Sequence, residues 1–293
     1  MAEPPTVISG ETRLAGVIGW PARHSLSPTI LNAAFRAVGA DWVYLAFEVP
    51  DGGAAGAVAA MRTLGLGGLS VTMPHKAAVH DAVDERTPVA ADLGAVNCVF
   101  RRGDRLVGDN TDGVGFVDAL RADAGVEVAG KRTVVVGAGG AGRAVARALG
   151  IEGAVDVAVV NRTLAAAERA AGLAGPVGRV GTGADVAEAE LVVNATPLGM
   201  GPASGSDPAP LPIDPALLGP GQVVVDLIYH PAETPLLAAA RARGAAGVNG
   251  LGMLVHQAAH AFHRWTGETA PIDAMVAATR RELARRAHVD GSP

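Results

Sequence analysis

The stretch "KRTVVVGAGGAGRAVARAL", Lys131 to Leu149, joins a β-branched apolar run to a glycine-rich turn and then to alanine-rich helical spacing. Gly137, Gly139 and Gly142 match the pattern G-x-G-x-x-G, directly after the predicted strand and directly before the predicted helix. In this context the first glycine turns the chain, the second lets a pyrophosphate approach the backbone, and the helix N-terminus supplies N–H groups. The stretch therefore predicts a Rossmann-type dinucleotide site.

Strands and helices continue to alternate after this stretch. Apolar runs at 155–161, 191–196 and 222–228 predict strands, and helical spacing lies at 164–173 and 234–243. Repeated strand–helix–strand units are typical of a doubly wound nucleotide-binding sheet. We therefore predict a Rossmann-type domain over residues 113–249.

A second α/β lobe is predicted before the glycine-rich stretch. Amphipathic, helix-like segments such as 28–38 and 53–64 separate short apolar runs, which favours a mostly parallel sheet. Two further predicted helices, 254–266 and 272–288, lie outside the Rossmann period, and we expect them to return to the first lobe. The predicted domains are thus 1–112 with 250–293, and 113–249. The apolar runs of the first lobe are "LAGVIG", "WVYLAFEV", "GGLSVTM", "AVNCVF" and "RLVG".

Composition narrows the class of partner. The net charge of −5 argues against a nucleic-acid or anionic-membrane surface, so small molecules are expected as partners. The single cysteine, Cys98, excludes an internal disulfide, and no zinc-ligand spacing is present, so no metal is predicted. No apolar run reaches the roughly 18 residues of a membrane span. We expect a cytoplasmic protein, and both a monomer and a homodimer are compatible with the sequence.

The residues after the second Rossmann strand bear on cofactor choice. NAD-binding relatives of this fold carry an acidic residue there that holds the ribose hydroxyls, whereas this chain has "NRT", Asn161 to Thr163. An acid would repel a 2'-phosphate, and an arginine fork would bind it. The sequence therefore predicts NADP over NAD, with a merely solvated Arg162 as the alternative.

Two polar clusters in the first lobe are candidates for chemistry. In "HSLSP" (24–28), Ser25 and Ser27 precede a proline-initiated helix, and helix capping is the simplest role for one of them. The cluster "SVTMPHK" (70–76) ends on Lys76, one of only two lysines among 24 basic residues. A lysine kept where arginine is otherwise used suggests a need for a compact, deprotonatable amine.

Nine motifs, in order and spacing, resemble the shikimate dehydrogenase family from about Leu14 to Leu283. They are "GWPARHSLSP", "SVTMPHK", "LGAVNC", "GDNTDGVGF", "VVVGAGGAGRAV", "VVNRT", "NATPLGM", "DLIYHPAETPLL" and "NGLGMLVHQAAHAF". The resemblance implies reversible, NADPH-dependent reduction of 3-dehydroshikimate to shikimate, with the first lobe binding substrate and the second binding NADP.

The resemblance also implies roles for individual residues. Lys76 would be the catalytic acid/base, paired with Asp112. The implied substrate-binding residues are Ser25, Ser27, Thr72, Lys76, Asn97, Asp112, Tyr229 and Gln257. The implied cofactor-binding residues are Gly137, Ala138, Gly139, Gly140, Ala141, Gly142, Asn161, Arg162, Thr163, Leu227 and Gly250.

The sequence departs from the family pattern at three positions. Ala166 stands where many relatives carry a second basic residue for the 2'-phosphate, and Trp20 and His75 replace residues more often found beside the substrate. We expect His75 to be a packing or surface residue.

Four other interpretations stay open. A quinate/shikimate or aminoshikimate dehydrogenase is the nearest, although Ser27 argues against quinate and "NRT" against NAD-using forms. A methylenetetrahydrofolate dehydrogenase would need a pterin pocket, for which no aromatic motif is present. A catalytically silent NADP-binding sensor would be expected to lack Lys76 or Asp112, and both are present.

Overall fold

A computed structural model describes residues 8–200 and 211–290, which form two compact units. Unit 1 comprises the residues up to Thr111 and those from Gln257 onward, and unit 2 runs from Asp112 to His256. The predicted boundaries lay after residues 112 and 249. The second division falls inside a helix because Gly252, in its first turn, packs directly on Ala119 of unit 2.

Between residues 8 and 111, the structure of unit 1 contains six strands and four helices. Prolines open two of the helices: Pro28 lies in the first turn of one, and Pro88 starts another, with Thr87 as a side-chain N-cap. In chain order the elements are β1 (Arg13–Gly19), α1 (Ser27–Val38), β2 (Trp42–Glu48), α2 (Ala54–Thr63), β3 (Gly68–Val71), α3 (Lys76–Ala82), β4 (Glu85–Arg86), α4 (Pro88–Leu93), β5 (Cys98–Arg102) and β6 (Arg105–Asp109).

The sheet of unit 1 is mixed, in the order β2-β1-β3-β5-β6-β4. Strands β1, β2 and β3 pair in parallel, as do β4 and β6, but β5 is antiparallel to both of its neighbours. The mostly parallel prediction holds for three of these five pairings. The exception has a local cause, because two residues join β5 to β6 and Gly103 adopts a φ of 58° there. So short a connection can form only an antiparallel hairpin.

Unit 2 is a doubly wound sheet in the order β12-β11-β10-β7-β8-β9, and all its pairings are parallel. The predicted α/β fold class with a Rossmann-type unit is confirmed. Valine-rich central strands, buried on both faces, match this arrangement. Its elements are α5 (Asp112–Ala124), β7 (Arg132–Val136), α6 (Gly140–Ile151), β8 (Asp156–Val160), α7 (Leu164–Leu173), β9 (Gly178–Val180), β10 (Leu191–Asn194), β11 (Val223–Asp226), α8 (Pro235–Ala242) and β12 (Ala246–Asn249), with short 3-10 helices at Gly175–Val177, Gly183–Glu188 and Pro215–Leu217.

Two helices end the described chain, α9 (Leu251–Thr266) and α10 (Ile272–Asp290). Within unit 1, Arg286 of α10 donates to the His24 carbonyl at 2.9 Å and to the Glu282 carboxylate at 2.8 Å. The contact with His24 joins α10 to the segment before α1, and Glu282, on the same helix as Arg286, orients the guanidinium. Across residues 8–200 and 211–290, no helix is both long and apolar enough to cross a membrane.

Trp265 of α9 holds this helix against the sheet of unit 1. Its indole Nε1 donates to the Val99 carbonyl at 3.0 Å, and its ring stacks on Tyr44 with centroids 5.8 Å apart. The ring lies over Gly68, where a Cβ atom would come within 2.4 Å of it. Glycine at position 68 is therefore the condition for this packing.

We predict that Gly68→Ala destabilises the protein by about 1–3 kcal/mol, because the new methyl group would displace a hydrogen-bonded, stacked indole. Urea and thermal unfolding measure the change. The matched control is Gly56→Ala in the exposed part of α2, where a Cβ meets no atom within 4 Å. It should raise stability by about 0.5–1 kcal/mol. Equal effects of the two substitutions would refute the packing argument.

Candidate active site

Several polar residues of the predicted substrate site lie at one edge of the unit 1 sheet, which we call the polar edge. Strands β1 and β3 end there, and Thr72 and Lys76 follow β3 directly. Because β5 is antiparallel to β3, with Ser70 opposite Cys98, the residue that precedes β5, Asn97, lies at this same edge. Strand β6 then returns, with Asp109 opposite Cys98. The mixed sheet thus brings together residues that are far apart in sequence.

Asn97 is fixed by contacts with Thr111. It is 4% exposed, its Nδ2 donates to Thr111 Oγ1 at 3.1 Å, and its Oδ1 accepts from the Thr111 backbone N–H at 2.8 Å. Thr111 Oγ1 in turn donates to the Gln257 carbonyl at 3.0 Å. The predicted substrate residues Asn97 and Gln257 are therefore linked through one threonine, which the sequence predicts to line the ligand cleft.

The carboxylate of Asp109 is a structural anchor. It is 4% exposed, and one oxygen accepts from Thr87 Oγ1 at 2.6 Å and from the Asn110 backbone N–H at 2.8 Å. The other oxygen accepts from Arg264 Nε at 2.9 Å. A buried carboxylate is stable only when it is paired and hydrogen-bonded, and Asp109 meets both conditions. It therefore joins α4, β6 and α9 beside the polar edge.

The two serines of "HSLSP" do not cap helix α1, so the capping interpretation is wrong. The N-cap residue is Leu26, which has no side chain able to cap. Ser25 Oγ instead accepts from the backbone N–H of Ser27 at 3.2 Å, a local turn that orders the segment before the helix. Ser27 itself is buried, at 8% exposure. The Ser25 hydroxyl thus accepts from the first N–H of α1, and the Ser27 hydroxyl has no part in the cap, which is consistent with a role of Ser27 toward a ligand.

Lys76 is the first residue of α3 and is half-buried. Its carbonyl accepts from the Val96 backbone N–H at 2.9 Å, which places the start of α3 next to the segment that carries Asn97. The preceding His75 is 1% exposed, and its Nε2 donates to the Val49 carbonyl at 2.7 Å. This contact gives His75 a packing role, as expected.

In unit 2, the glycines of the predicted dinucleotide turn differ in what surrounds them. Gly137 has a φ of 104°, and a Cβ on Gly142 would lie 2.0 Å from the Gly137 carbonyl oxygen. These two glycines are therefore required by the turn itself. Gly139, the N-cap of α6, has no atom within 4 Å of its Cβ position. The open side of the turn thus lies at the helix N-terminus, where a pyrophosphate fits.

The "NRT" segment lies beside this turn. Asn161 Oδ1 accepts from the Ala138 backbone N–H at 3.3 Å, and Asn161 Nδ2 donates to the Thr163 carbonyl at 3.0 Å. Arg162 is exposed, and Thr163 is the N-cap residue of α7. The asparagine therefore connects the predicted pyrophosphate turn to the arginine predicted to bind the 2'-phosphate.

A buried polar cluster that the sequence analysis missed supports the end of β11. Asp226 is fully buried and accepts from Thr234 Oγ1 at 2.6 Å and from Asn194 Nδ2 at 3.0 Å. The pKa of Asp226 is raised, because the effect of burial exceeds that of these hydrogen bonds, which lower the pKa. The signal in the sequence is an acidic residue that ends the valine run "VVVD". The cluster fixes the segment that begins with Leu227.

The other predicted residues of unit 2 lie on well-packed backbone. Leu227 touches Gly250, where a Cβ would meet the Leu227 carbonyl oxygen at 2.1 Å, and the half-buried Tyr229 follows two residues after Leu227. Asp112, 6% exposed, begins α5, whose next residue Gly113 packs on the backbone of α6. Close backbone contacts therefore fix Leu227 against Gly250 and the start of α5 against α6.

Three family models match this chain. Residues 17–99 match the shikimate dehydrogenase substrate binding domain, residues 120–196 match shikimate / quinate 5-dehydrogenase, and residues 250–280 match the shikimate 5'-dehydrogenase C-terminal domain. The first match covers the polar edge of unit 1, and the second covers the dinucleotide turn. A two-unit α/β protein with one dinucleotide-binding unit is thus defined by sequence and structure together.

Individual relatives agree with these models. The chain is 46% identical over 278 residues to the shikimate dehydrogenase (NADP(+)) of Moorella thermoacetica, covering 92% of each chain. A crystal structure of a shikimate dehydrogenase in complex with NADP+ has a TM-score of 0.88 at 36% identity and covers 96% of this chain and 99% of its own. The Thermus thermophilus enzyme in complex with NADP(H) and shikimate has a TM-score of 0.84 at 37% identity, with coverages of 92% and 99%. The chain belongs to the shikimate dehydrogenase family, which confirms the resemblance.

We predict that Gly139→Ala leaves the thermal midpoint of the protein unchanged but weakens NADP binding at least about tenfold, because its methyl group enters only the space left for the pyrophosphate. Gly142→Ala is the matched comparison. It should lower both stability and affinity, since its Cβ clashes with the turn. Calorimetric titration with NADP and thermal unfolding separate the two cases. Unchanged NADP affinity in Gly139→Ala would show that the pyrophosphate does not bind next to Gly139.

Proposed function

We propose that this chain is an NADP-dependent shikimate dehydrogenase, which reversibly reduces 3-dehydroshikimate to shikimate in aromatic amino acid biosynthesis. The observation that carries the proposal is the 46% identity, over 92% of both chains, to the Moorella thermoacetica enzyme of that name. The polar edge of unit 1 and the open glycine turn of unit 2 support it, because they supply the two kinds of binding surface that the reaction requires.

Substrate recognition is assigned to neutral hydrogen-bonding side chains. Shikimate combines a carboxylate with three hydroxyls, and recognition of such a molecule depends on paired hydrogen bonds. We assign the carboxylate to Ser25 and Ser27. The substrate hydroxyls are assigned to the other residues implied by the family motifs, namely Thr72, Lys76, Asn97, Asp112, Tyr229 and Gln257.

The proton step is assigned to Lys76, with Asp112 as its partner carboxylate. NADP, when bound, supplies the acceptor for the hydride that leaves the alcohol carbon. Oxidation also requires removal of the hydroxyl proton from the same carbinol, and an amine within hydrogen-bond reach can accept it. In the reducing direction the same ammonium returns the proton to the carbonyl oxygen. The family motifs assign Asp112 to the same step.

Cofactor choice is assigned to the "NRT" segment. Arg162 is exposed and follows Asn161, which is hydrogen-bonded to the glycine turn, so its guanidinium is available to a 2'-phosphate. Ala166, which replaces a basic residue common in relatives, supplies no second charge. We therefore expect a preference for NADP that rests mainly on one arginine.

We also place the enzyme in a reducing cytoplasm, with small molecules as its ligands. Cys98 is buried in unit 1, and burial raises the pKa of its thiol. The thiol therefore stays protonated and acts as a small packing group. This thiol chemistry suits a compartment in which disulfides do not form.

Steady-state rates with shikimate and quinate, each with NADP and NAD, test the proposed function. We expect shikimate with NADP to give the highest kcat/KM, because "NRT" lacks the acid that favours NAD. Higher kcat/KM with quinate and NAD would instead assign the chain to the quinate-using branch of the family. Cofactor binding without turnover of either substrate would indicate a silent NADP-binding protein.

Substitution of the lysine tests its catalytic assignment. Lys76→Ala should lower kcat by roughly two to four orders of magnitude, the usual contribution of a general acid/base, and should change KM for shikimate much less. Lys131→Ala is the control, because Lys131 pairs with Glu190 at 3.5 Å in unit 2, on the strand end opposite the glycine turn. A normal kcat with a raised KM in Lys76→Ala would make Lys76 a binding residue only.

A further inference from the structure

The hydroxyl of Tyr44 is a buried polar group that the proposed mechanism does not use. Tyr44 lies on β2, is fully buried, and its hydroxyl oxygen has no hydrogen-bond partner among the residues that the structure describes. Buried hydroxyls are normally hydrogen-bonded, because leaving one unpaired costs free energy. An unpaired hydroxyl at this position therefore calls for a functional reason.

The tyrosine ring cannot turn the hydroxyl elsewhere. One side of the ring stacks on Trp265, and the backbone of Tyr44 is held on both sides by Asn32, whose amide donates to its carbonyl at 2.8 Å and accepts from its N–H at 2.9 Å. Trp265 is itself fixed by its hydrogen bond to Val99. The hydroxyl is thus held in one place by the packing of unit 1.

The Tyr44 hydroxyl lies among residues close to the polar edge. The side chains that affect the ionisation of the Tyr44 hydroxyl are Ser70, Cys98 and Ser27, and the two serine hydroxyls lower its pKa. Ser70 and Cys98 face each other across β3 and β5, close to the strand ends that lead to Thr72 and Asn97. The phenol therefore reaches from β2 to the underside of the edge where Ser27 lies.

A carboxylate ligand would give this hydroxyl a role. A carboxylate only accepts hydrogen bonds, so Ser27 must direct its one hydroxyl proton toward it. The Ser27 oxygen can then accept a hydrogen bond from behind, and the Tyr44 O–H is placed to donate it. Donation to Ser27 would also prevent the serine proton from turning inward, and each hydrogen bond in such a chain polarises the next.

We propose that Tyr44 is a positioning residue for carboxylate recognition: its hydroxyl donates to Ser27 Oγ and so directs the Ser27 proton toward the substrate carboxylate. The inference rests on the proposed function, which assigns that carboxylate to Ser27. Ser70 completes the chain by donating to the Tyr44 oxygen. A chain of three neutral hydroxyls then provides the hydrogen-bond donor for the carboxylate, a task that a single arginine performs in many carboxylate sites.

Burial supports the direction of this chain. It is the largest influence on the Tyr44 phenol and raises its pKa far above the ordinary value, more than the serine hydroxyls lower it. The raised pKa keeps the phenol protonated near neutral pH, so it remains a donor.

Tyr44→Phe removes only the hydroxyl and tests the proposal. We expect KM for shikimate to rise about three- to tenfold, the effect of one lost neutral hydrogen bond, with kcat and KM for NADP changed less than about twofold. The thermal midpoint of the ligand-free protein should change little, because the Tyr44 hydroxyl makes no hydrogen bond within 3.5 Å there among the described residues. Thr279→Val is the matched control, since it removes another buried hydroxyl of unit 1, on α10, and should leave KM for shikimate unchanged.

A double-substitution cycle shows whether Tyr44 acts through Ser27. In a Ser27→Ala background, Tyr44→Phe should have no further effect on KM for shikimate. Ser70→Ala should raise KM by a smaller factor than Tyr44→Phe and keep the fold intact. An unchanged KM in Tyr44→Phe, or an equal rise with and without Ser27, would overturn the proposal. Failure of the parent enzyme to oxidise shikimate would instead overturn the proposed function.

Discussion

The buried carboxylate of Asp109 is the contact on which the substrate side of this protein depends. Its oxygens accept from Thr87, the Asn110 backbone and Arg264, so one side chain joins the cap of α4, the end of β6 and the face of α9. Because β6 pairs with β5, fixing Asp109 also fixes the register that places Asn97 beside Thr111. Removing this anion would leave several donors buried and unpaired, which is why a charge is retained there.

Around this anchor, the candidate site uses neutral groups where many anion sites use charge. Ser25, Ser27, Thr72 and Asn97 offer hydroxyl and amide donors, and Lys76, four residues after Thr72, is assigned to proton transfer instead. The tyrosine beneath Ser27 fits the same arrangement, since it strengthens a neutral donor without adding charge.

Much of the fold could be predicted from periodicity and glycine placement. The valine strands of unit 2 and the turn at Gly137 follow local rules, so their positions agree with the sequence prediction. The antiparallel setting of β5 did not follow from the apolar pattern, because its cause is the two-residue connection at Gly103. Helix α3 spans seven residues, too few for a periodic signal, and tertiary packing fixes it.

The site was predicted less completely than the fold. Lys76 was predicted from the scarcity of lysine and Asn97 from the family resemblance, but the contacts that support them were not predicted. Tyr44 looks like an ordinary core residue in "WVYLAFEV", and only its burial beside Ser27 and Ser70 gives it meaning. Serines just before a proline-initiated helix are typical caps, so the sequence predicts that role for Ser25 or Ser27. The N-cap is Leu26 instead, because the backbone of the preceding turn decides at which residue the helix starts.

The central claim is that this chain moves a hydride from the carbinol carbon of shikimate to NADP while a side chain of unit 1 takes the hydroxyl proton. Shikimate deuterated at carbon 3 tests this transfer directly, with mass spectrometry of the NADPH formed by the purified enzyme. The account predicts one deuterium in every NADPH formed, together with 3-dehydroshikimate in equal amount. NADPH without deuterium, or deuterated substrate left unoxidised while quinate is consumed, would contradict it.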